Sequence, residues 1–168
     1  MKRLLLLLLL LLLPAASYAA ETTRLFQVVL LRASMAGADE LAALPKNAGK
    51  AVADIRDFLP YKSYRVLDSG LLRAAEMTAA SLRLDQYDVR VTFKMSGANR
   101  LNVSPFTLDR VRKPGTTPLP PGVAPPAPEK PPISTSFSVD AGETIVVGSS
   151  KLGGGDALVV LFTALPSR

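Results

Sequence analysis

Residues 24–33 read RLFQVVLLRA, and residues 157–162 read ALVVLF. Each run is almost continuously apolar and rich in Val and Leu, and each is shorter than a typical helix. This pattern is typical of strands that are buried on both faces. We therefore predict that these two runs are the central strands of the fold. A sheet with such strands needs a covering layer on each side.

One covering layer is predicted between these runs. Pro45 stands where a helix would start, apolar residues then recur at spacings of three and four as far as Leu59, and Pro60 ends the pattern. We predict a helix over residues 45–59 that covers one face of the sheet. The other face must be covered by a further layer or by a partner.

The residues after this helix have β character. Residues 61–74 predict a strand with a bulge or bend at Gly70. From Tyr87 to Met95 apolar and polar residues alternate strictly, which predicts a strand with one face in water. Because Leu82 and Leu84 have the opposite parity, a bulge or tight turn is expected at residues 85–86.

The next residues predict a hairpin and then a meander. Residues 96–100 (SGANR) form a turn cluster, and residues 101–111 suit the returning strand, with Pro105 at an edge or bulge. Further strands are predicted at residues 133–139, 144–147 and 157–162, with turns at residues 140–143 and 151–156. We predict a single α+β domain over residues 20–168, mostly antiparallel, with a β-α-β start and a β-meander end.

The first residues have the layout of a secretory signal peptide. Lys2 and Arg3 precede ten leucines, and small residues, including Ser17 and Ala19, follow Pro14. Ten apolar residues are too few for a membrane-spanning helix. We predict a leader over residues 1–19 that is cleaved after Ala19, export to the periplasm or cell exterior, and no transmembrane segment in the mature chain.

Residues 114–132 contain nine of the 14 prolines and no aromatic residue. Such a composition cannot bury a core, so we predict an extended, mobile insertion or linker. Its P-x-x-P spacings would suit an aromatic groove on a partner, but in an exported chain a tether or solvated loop is favoured.

Composition excludes several classes of site. The chain has no Cys, no His and no Trp, which removes disulfides, thiolate chemistry, imidazole bases and Cys/His metal sites. Its formal net charge of +6 includes Lys2 and Arg3 of the predicted leader, so the mature chain is only mildly basic. We predict no catalytic, cofactor-binding or metal-binding residue, and no cofactor.

Two candidate sites lie near the C-terminus. Residues 148–151 (GSSK) follow a strand in the manner of a phosphate-binding loop, but they lack the Walker spacing, so a hairpin loop is favoured. Ser150 and Lys151 could form a catalytic dyad, yet adjacent residues of a strand point to opposite faces. A dyad is therefore disfavoured.

Charged residues give further alternatives. Asp54 with Asp57, and Asp140 with Glu143, could serve acid/base chemistry or bind Ca²⁺, but a solvated helix face and a turn are favoured. Tyr61 and Tyr64 could form a stacking surface, although packing at the sheet edge is favoured. A loose basic cluster could suit a polyanion; it comprises Arg83, Arg90, Lys94, Arg100, Arg110, Arg112 and Lys113. Acidic residues interrupt it, so we predict no nucleic-acid binding.

Residues 135–166 resemble the strand pair that ends bacterial secretins. The matching residues are Gly142, Glu143, Thr144, Val146, Val147, Gly148, Leu161, Thr163 and Pro166. The chain lacks the Val-Pro and Gly-rich stretch that secretins carry between those strands, and it is too short for a pore. Residues 57–73 (DFLPYKSYRVLDSGLLR) are similar to a stretch in small exported bacterial proteins, a resemblance that implies no activity.

Together, these observations favour an exported, non-enzymatic binding or assembly module. The secretin resemblance implies an envelope or secretion-complex protein as partner, and a homo-oligomer is compatible with it. The alternatives are a His-free hydrolase that acts on an envelope polymer, and a polyanion-binding protein.

Overall fold

The computed structural model describes residues 22–42, 44–111 and 133–166. The predicted leader at residues 1–19 and the Pro-rich residues 114–132 lie outside the described residues. The prediction of a mostly antiparallel α+β fold with one helix is confirmed. In chain order the elements are β1 (Thr23–Ser34), a 3₁₀ turn (Lys46–Ala48), α1 (Gly49–Arg56), β2 (Ser63–Ala75), β3 (Ala80–Leu84), β4 (Tyr87–Met95), β5 (Arg100–Arg110), β6 (Ile133–Asp140), β7 (Thr144–Gly153) and β8 (Asp156–Ala164).

The strands form two four-stranded sheets. The first sheet has the order β2-β1-β8-β7, and the second has the order β3-β4-β5-β6. Neighbouring strands are antiparallel throughout. This includes β1 and β2, although a helix lies between them in the chain. The sheets stack face to face, and α1 lies on the outer face of the first sheet.

The two apolar runs are the central strands of the first sheet, as predicted. On β1, Phe26 and Leu30 face the second sheet, whereas Val29 and Leu31 face α1. All four side chains are buried. The layer that the sequence required on the far side of the sheet is therefore the second sheet. Its contact includes Phe26, whose ring centroid lies 5.0 Å from that of Phe162 and 5.3 Å from that of Phe93.

The helix is shorter than the predicted residues 45–59. Ala51, Val52 and Ile55 are buried, as their spacing predicted. After Arg56, however, the amides of Phe58 and Leu59 both donate to the carbonyl of Ile55, which tightens the last turn. Phe58, which follows the end of α1, is 85% exposed.

The turns and bulges agree with the sequence at two of three places. Asp85 and Gln86 form a two-residue turn between β3 and β4, in which Asp85 has φ +49°. Pro105 lies at a register shift between β5 and β6, as predicted. The irregularity in β2 lies at Leu67 rather than at Gly70.

The predicted meander is divided between the sheets. β6 pairs with β5 in the second sheet, whereas β7 and β8 form a hairpin in the first sheet. The chain crosses between the sheets at residues 140–143, where Gly142 has φ +90° and donates to the carbonyl of Ala164 at 2.6 Å. β6 and β7, which are edge strands of different sheets, therefore follow each other directly in the chain.

Candidate strand-pairing site at an open sheet edge

The sandwich has two corners at which an edge strand of one sheet lies beside an edge strand of the other. One corner, here called the closed corner, consists of β2 and β3. The other, here called the open corner, consists of β6 and β7. The two corners differ in how their strand edges are bonded.

At the closed corner, Asp68 of β2 bonds to the turn that follows β3. Its Oδ2 accepts from the amide of Asp85 at 2.8 Å, and its Oδ1 accepts from the amide of Ser69 at 2.7 Å. A Cβ on Gly70 would lie 2.8 Å from Leu84 Cδ2, so a larger residue here would have to displace the Leu84 side chain. β2 is thus hydrogen-bonded to the turn after β3 and packs closely against β3.

The start of β2 is covered by the loop after β1. The amide of Glu40 donates to the carbonyl of Tyr64 at 2.9 Å, and the amide of Val66 donates to the carbonyl of Glu40 at 3.2 Å. Asp39 accepts from the amide of Tyr64 at 2.8 Å and pairs with Arg56 at the end of α1. The edge of β2 therefore has main-chain partners here.

Two groups of this cluster, Asp39 and Tyr64, have shifted pKa values. The hydrogen bond from Arg56 lowers the pKa of Asp39, against the opposing effect of burial. Burial raises the pKa of Tyr64, whose ring lies 5.5 Å below the Arg56 guanidinium. Tyr64 is fully buried, so it belongs to the core and does not form a stacking surface.

At the open corner, the outer edge of β6 has no main-chain partner of this kind among the described residues. Its odd-numbered residues face the core, whereas Ser134, Ser136 and Ser138 are exposed. Among the described residues, none of residues 133–139 makes a main-chain hydrogen bond outside the pairing with β5.

The direction of the free main-chain groups follows from Asp140. Its amide donates to Glu143 Oε2 at 2.9 Å, whereas the next amide, of Ala141, donates to the carbonyl of Asn99 on the β5 side. Since main-chain groups alternate in direction along a strand, those of Ser134, Ser136 and Ser138 point to the open edge.

β6 is also the least protected edge. Proteins guard edge strands with short length, bulges, Lys or Pro. β3 has five residues and carries Arg83, and β7 has register shifts at Val147 and Leu152 and carries Lys151. β6 has eight residues and no bulge of its own, and its only charged residue is Asp140 at its end.

Apolar side chains are partly exposed beside this edge. Phe137 of β6 and Ile145 and Val147 of β7 are partly buried against the core between the sheets. The Phe137 ring centroid lies 5.3 Å from that of Phe162. A strand added to β6 would therefore gain main-chain hydrogen bonds along its length and apolar contacts at alternate residues.

The site candidates near the C-terminus lie on β7. Residues 148–151 are part of this strand and not of a hairpin loop, because the turn forms at Gly154 and Gly155. Ser150 pairs with Leu158 and Lys151 with Ala157, and these partners belong to opposite faces of the first sheet. The structure does not bring Ser150 and Lys151 together.

The predicted acidic candidates are solvent-facing. Asp54 and Asp57 are exposed at α1, and Glu143 holds the turn after β6 through the amide of Asp140. Within the part of the chain that the structure describes, no three Asp, Glu, His or Cys side chains are grouped to hold a metal ion.

The basic residues form a face of alternating charge on the second sheet. Arg83 lies 4.0 Å from Asp88, Arg90 lies 3.9 Å from Asp109, and Arg100 lies 4.0 Å from Asp140. Lys94 is exposed, Arg110 donates to Gln86, and Arg112 and Lys113 lie outside the described residues. Arg83, Arg90 and Arg100 therefore stand opposite carboxylates.

Comparison with known proteins gives a likeness of structure only. Neither a protein-family model nor a curated protein matches the chain. The type II secretion system secretin GspD of E. coli K12 is similar over 99% of this chain and 53% of its own, with 12% identity and a TM-score of 0.48. The Salmonella SPI-1 type III secretion injectisome secretin InvG in the open gate state is similar over 99% and 66%, with 12% identity and a TM-score of 0.40.

The chain thus spans about half the length of the GspD chain that it matches. The solved structures that are similar to this chain include secretins, in agreement with the weak resemblance that the sequence indicated. In the described residues, no helix combines the length and apolar character that a membrane crossing needs.

Proposed function

We propose that the chain is an exported, non-enzymatic assembly module that joins another protein chain by strand pairing along β6. The single observation that carries this proposal is the contrast between the four sheet edges. β6 alone combines eight regular residues, outward main-chain groups without a described partner, and no basic or proline residue.

The chemistry of the open corner defines the kind of partner. It is an extended segment that extends the second sheet through main-chain hydrogen bonds. At alternate residues this segment places apolar side chains on Phe137, Ile145 and Val147, which the fold leaves partly exposed. The serine side of β6 adds no charge that would repel either an acidic or a basic partner.

The proposed setting is the cell envelope. Cleavage of the leader after Ala19 would deliver the mature chain to the periplasm or cell exterior. The resemblance of residues 135–166 to the last strands of secretins favours an envelope or secretion complex as the place of assembly.

Photo-cross-linking in the native host tests this function. A photoreactive residue at Ser136, on β6, is expected to give a covalent adduct with a protein chain. The same residue at Ser81, which is exposed on the edge strand of the closed corner, is the matched control. Recovery of monomer only at Ser136, or equal adducts at both positions, would contradict strand pairing at β6.

A further inference from the structure

We infer that the strand received by β6 is β6 of a second copy, paired antiparallel about a two-fold axis at Ser136. This inference rests on the proposed function, because it names the partner of the same edge. In the dimer the two second sheets join into one continuous eight-stranded sheet. A two-fold contact of this kind closes after two copies.

The alternation of β6 makes this edge complementary to itself. Pairing about Ser136 places Ile133 opposite Val139 and Thr135 opposite Phe137 on the core side. On the outer side, Ser134 lies opposite Ser138. Paired residues of an antiparallel sheet share a face, so every core-facing residue meets a core-facing residue of the second copy.

The bond at Asp140 argues against the neighbouring register at Phe137. An axis at Phe137 would also preserve the alternation, but it would pair Asp140 with Ser134. The outward amide of Asp140 is already bonded to Glu143 Oε2 at 2.9 Å. An axis at Ser136 pairs residues 133–139 and leaves that bond intact.

Charge also permits the contact between two copies. The paired residues 133–139 (ISTSFSV) carry no charged side chain, so no like charges lie opposite each other. Two of the three serine side chains already have local partners on β5, since Ser136 Oγ lies 2.8 Å from Ser104 Oγ and Ser138 donates to Asn102 at 2.7 Å. The outer face is thus ordered before pairing.

Single-cysteine variants test the axis directly, because the chain has no Cys of its own. With the axis at Ser136, the two Ser136→Cys residues form a hydrogen-bonded antiparallel pair. Their Cα atoms lie about 5.5 Å apart, a distance that a disulfide spans. Two Ser134→Cys residues would lie about 14 Å apart along the strands and cannot bond. We expect Ser136→Cys to form a disulfide dimer at least tenfold faster than Ser134→Cys or the closed-corner control Ser81→Cys.

A proline variant tests the main-chain bonds. Ser136→Pro removes an amide that points to the open edge and leaves the pairing with β5 intact. In sedimentation, the purified native protein and Ser136→Thr are expected to have twice the monomer mass, and Ser136→Pro the monomer mass. If Ser136→Pro fails to fold by circular dichroism, the cysteine series decides the question.

The outcomes separate this inference from the proposed function. Native protein of monomer mass, or equal disulfide rates for Ser136→Cys and Ser134→Cys, overturns the second copy as partner. A host adduct at Ser136 with a different protein overturns it too, but it leaves strand pairing at β6 standing. No adduct at Ser136 overturns both.

Discussion

The closed corner and the open corner each consist of two edge strands, but the two corners differ in whether those strand edges have bonding partners. Each joins two edge strands that follow each other in the chain and come from different sheets. At the closed corner, Asp68, Gly70 and the loop at Glu40 cover the strand edges. At the open corner, the outward main-chain groups of Ser134, Ser136 and Ser138 have no main-chain partner among the described residues. Within the part of the chain that the structure describes, contacts of this kind cover the edge at the closed corner and not the edge of β6.

The largest expected difference between the corners is in core packing. Leu84→Ala removes a side chain that is 2% exposed at the closed corner and should lower the free energy of unfolding by about 2–5 kcal/mol. Ile145→Ala removes the same number of carbon atoms from a half-buried position at the open corner, so about half that loss is expected. Urea unfolding of both variants measures the difference, and equal losses would contradict it.

The two glycines give a second matched comparison. Gly70→Ala places a Cβ 2.8 Å from Leu84 Cδ2 and 3.0 Å from Leu82 Cδ2, so the overpacking should cost about 1–3 kcal/mol. A Cβ at Gly148 would meet Ile133 at 3.5 Å, an ordinary contact. Gly148→Ala should therefore be neutral or stabilise by up to about 1 kcal/mol, because it restricts the unfolded chain. Thermal unfolding of both variants checks the sign, and the same sign for both would refute the distinction.

The sequence predicted the elements better than their arrangement. Strict alternation located β4 from Tyr87 to Met95, and apolar runs located β1 and β8. β6 alternates as well, whereas β7 (TIVVGSSKLG) does not, and neither pattern says to which sheet a strand belongs. Their division between the sheets depends on the turn at residues 140–143, whose sequence is compatible with a hairpin too.

The candidate site could not be predicted for the same reason. Whether a strand lies at an edge depends on the order of strands in the sheet, which is a property of the whole fold. One local signal was present: residues 133–139 (ISTSFSV) alternate without any charge, proline or glycine. Such a stretch is unusual for an exposed edge, and it could have singled out β6 once the strand was known to be exposed.

A third prediction concerns the hydrogen bonds of Asp68. Asp68→Ala leaves the amide of Asp85 without its acceptor and should cost about 1 kcal/mol. Asp109→Ala is the matched control, because its carboxylate only faces Arg90 at 3.9 Å on the surface, where an ion pair contributes little. Hydrogen exchange at the Asp85 amide should accelerate in Asp68→Ala and stay unchanged in Asp109→Ala. Unchanged exchange in both would mean that Asp68 does not fasten the closed corner.

The smallest expected effect is the pH dependence of the Asp39–Arg56 pair, which holds the loop against β2. The Arg56 hydrogen bond lowers the pKa of Asp39 in the folded state, so the pair stabilises the fold when Asp39 is ionised. This contribution is present above the unfolded pKa of about 3.9 and is lost as the pH falls through the lower folded value. The carboxylate is 34% exposed, so the contribution should be below about 1 kcal/mol. In urea unfolding, Asp39→Asn should be slightly less stable than the native protein at pH 6, and the difference should shrink as the pH falls below about 3.9. Asp54→Asn, on the exposed side of α1, controls for the loss of a charge. A difference that stays constant from pH 6 to below about pH 3.9 would show that the charge of Asp39 does not contribute to holding the loop.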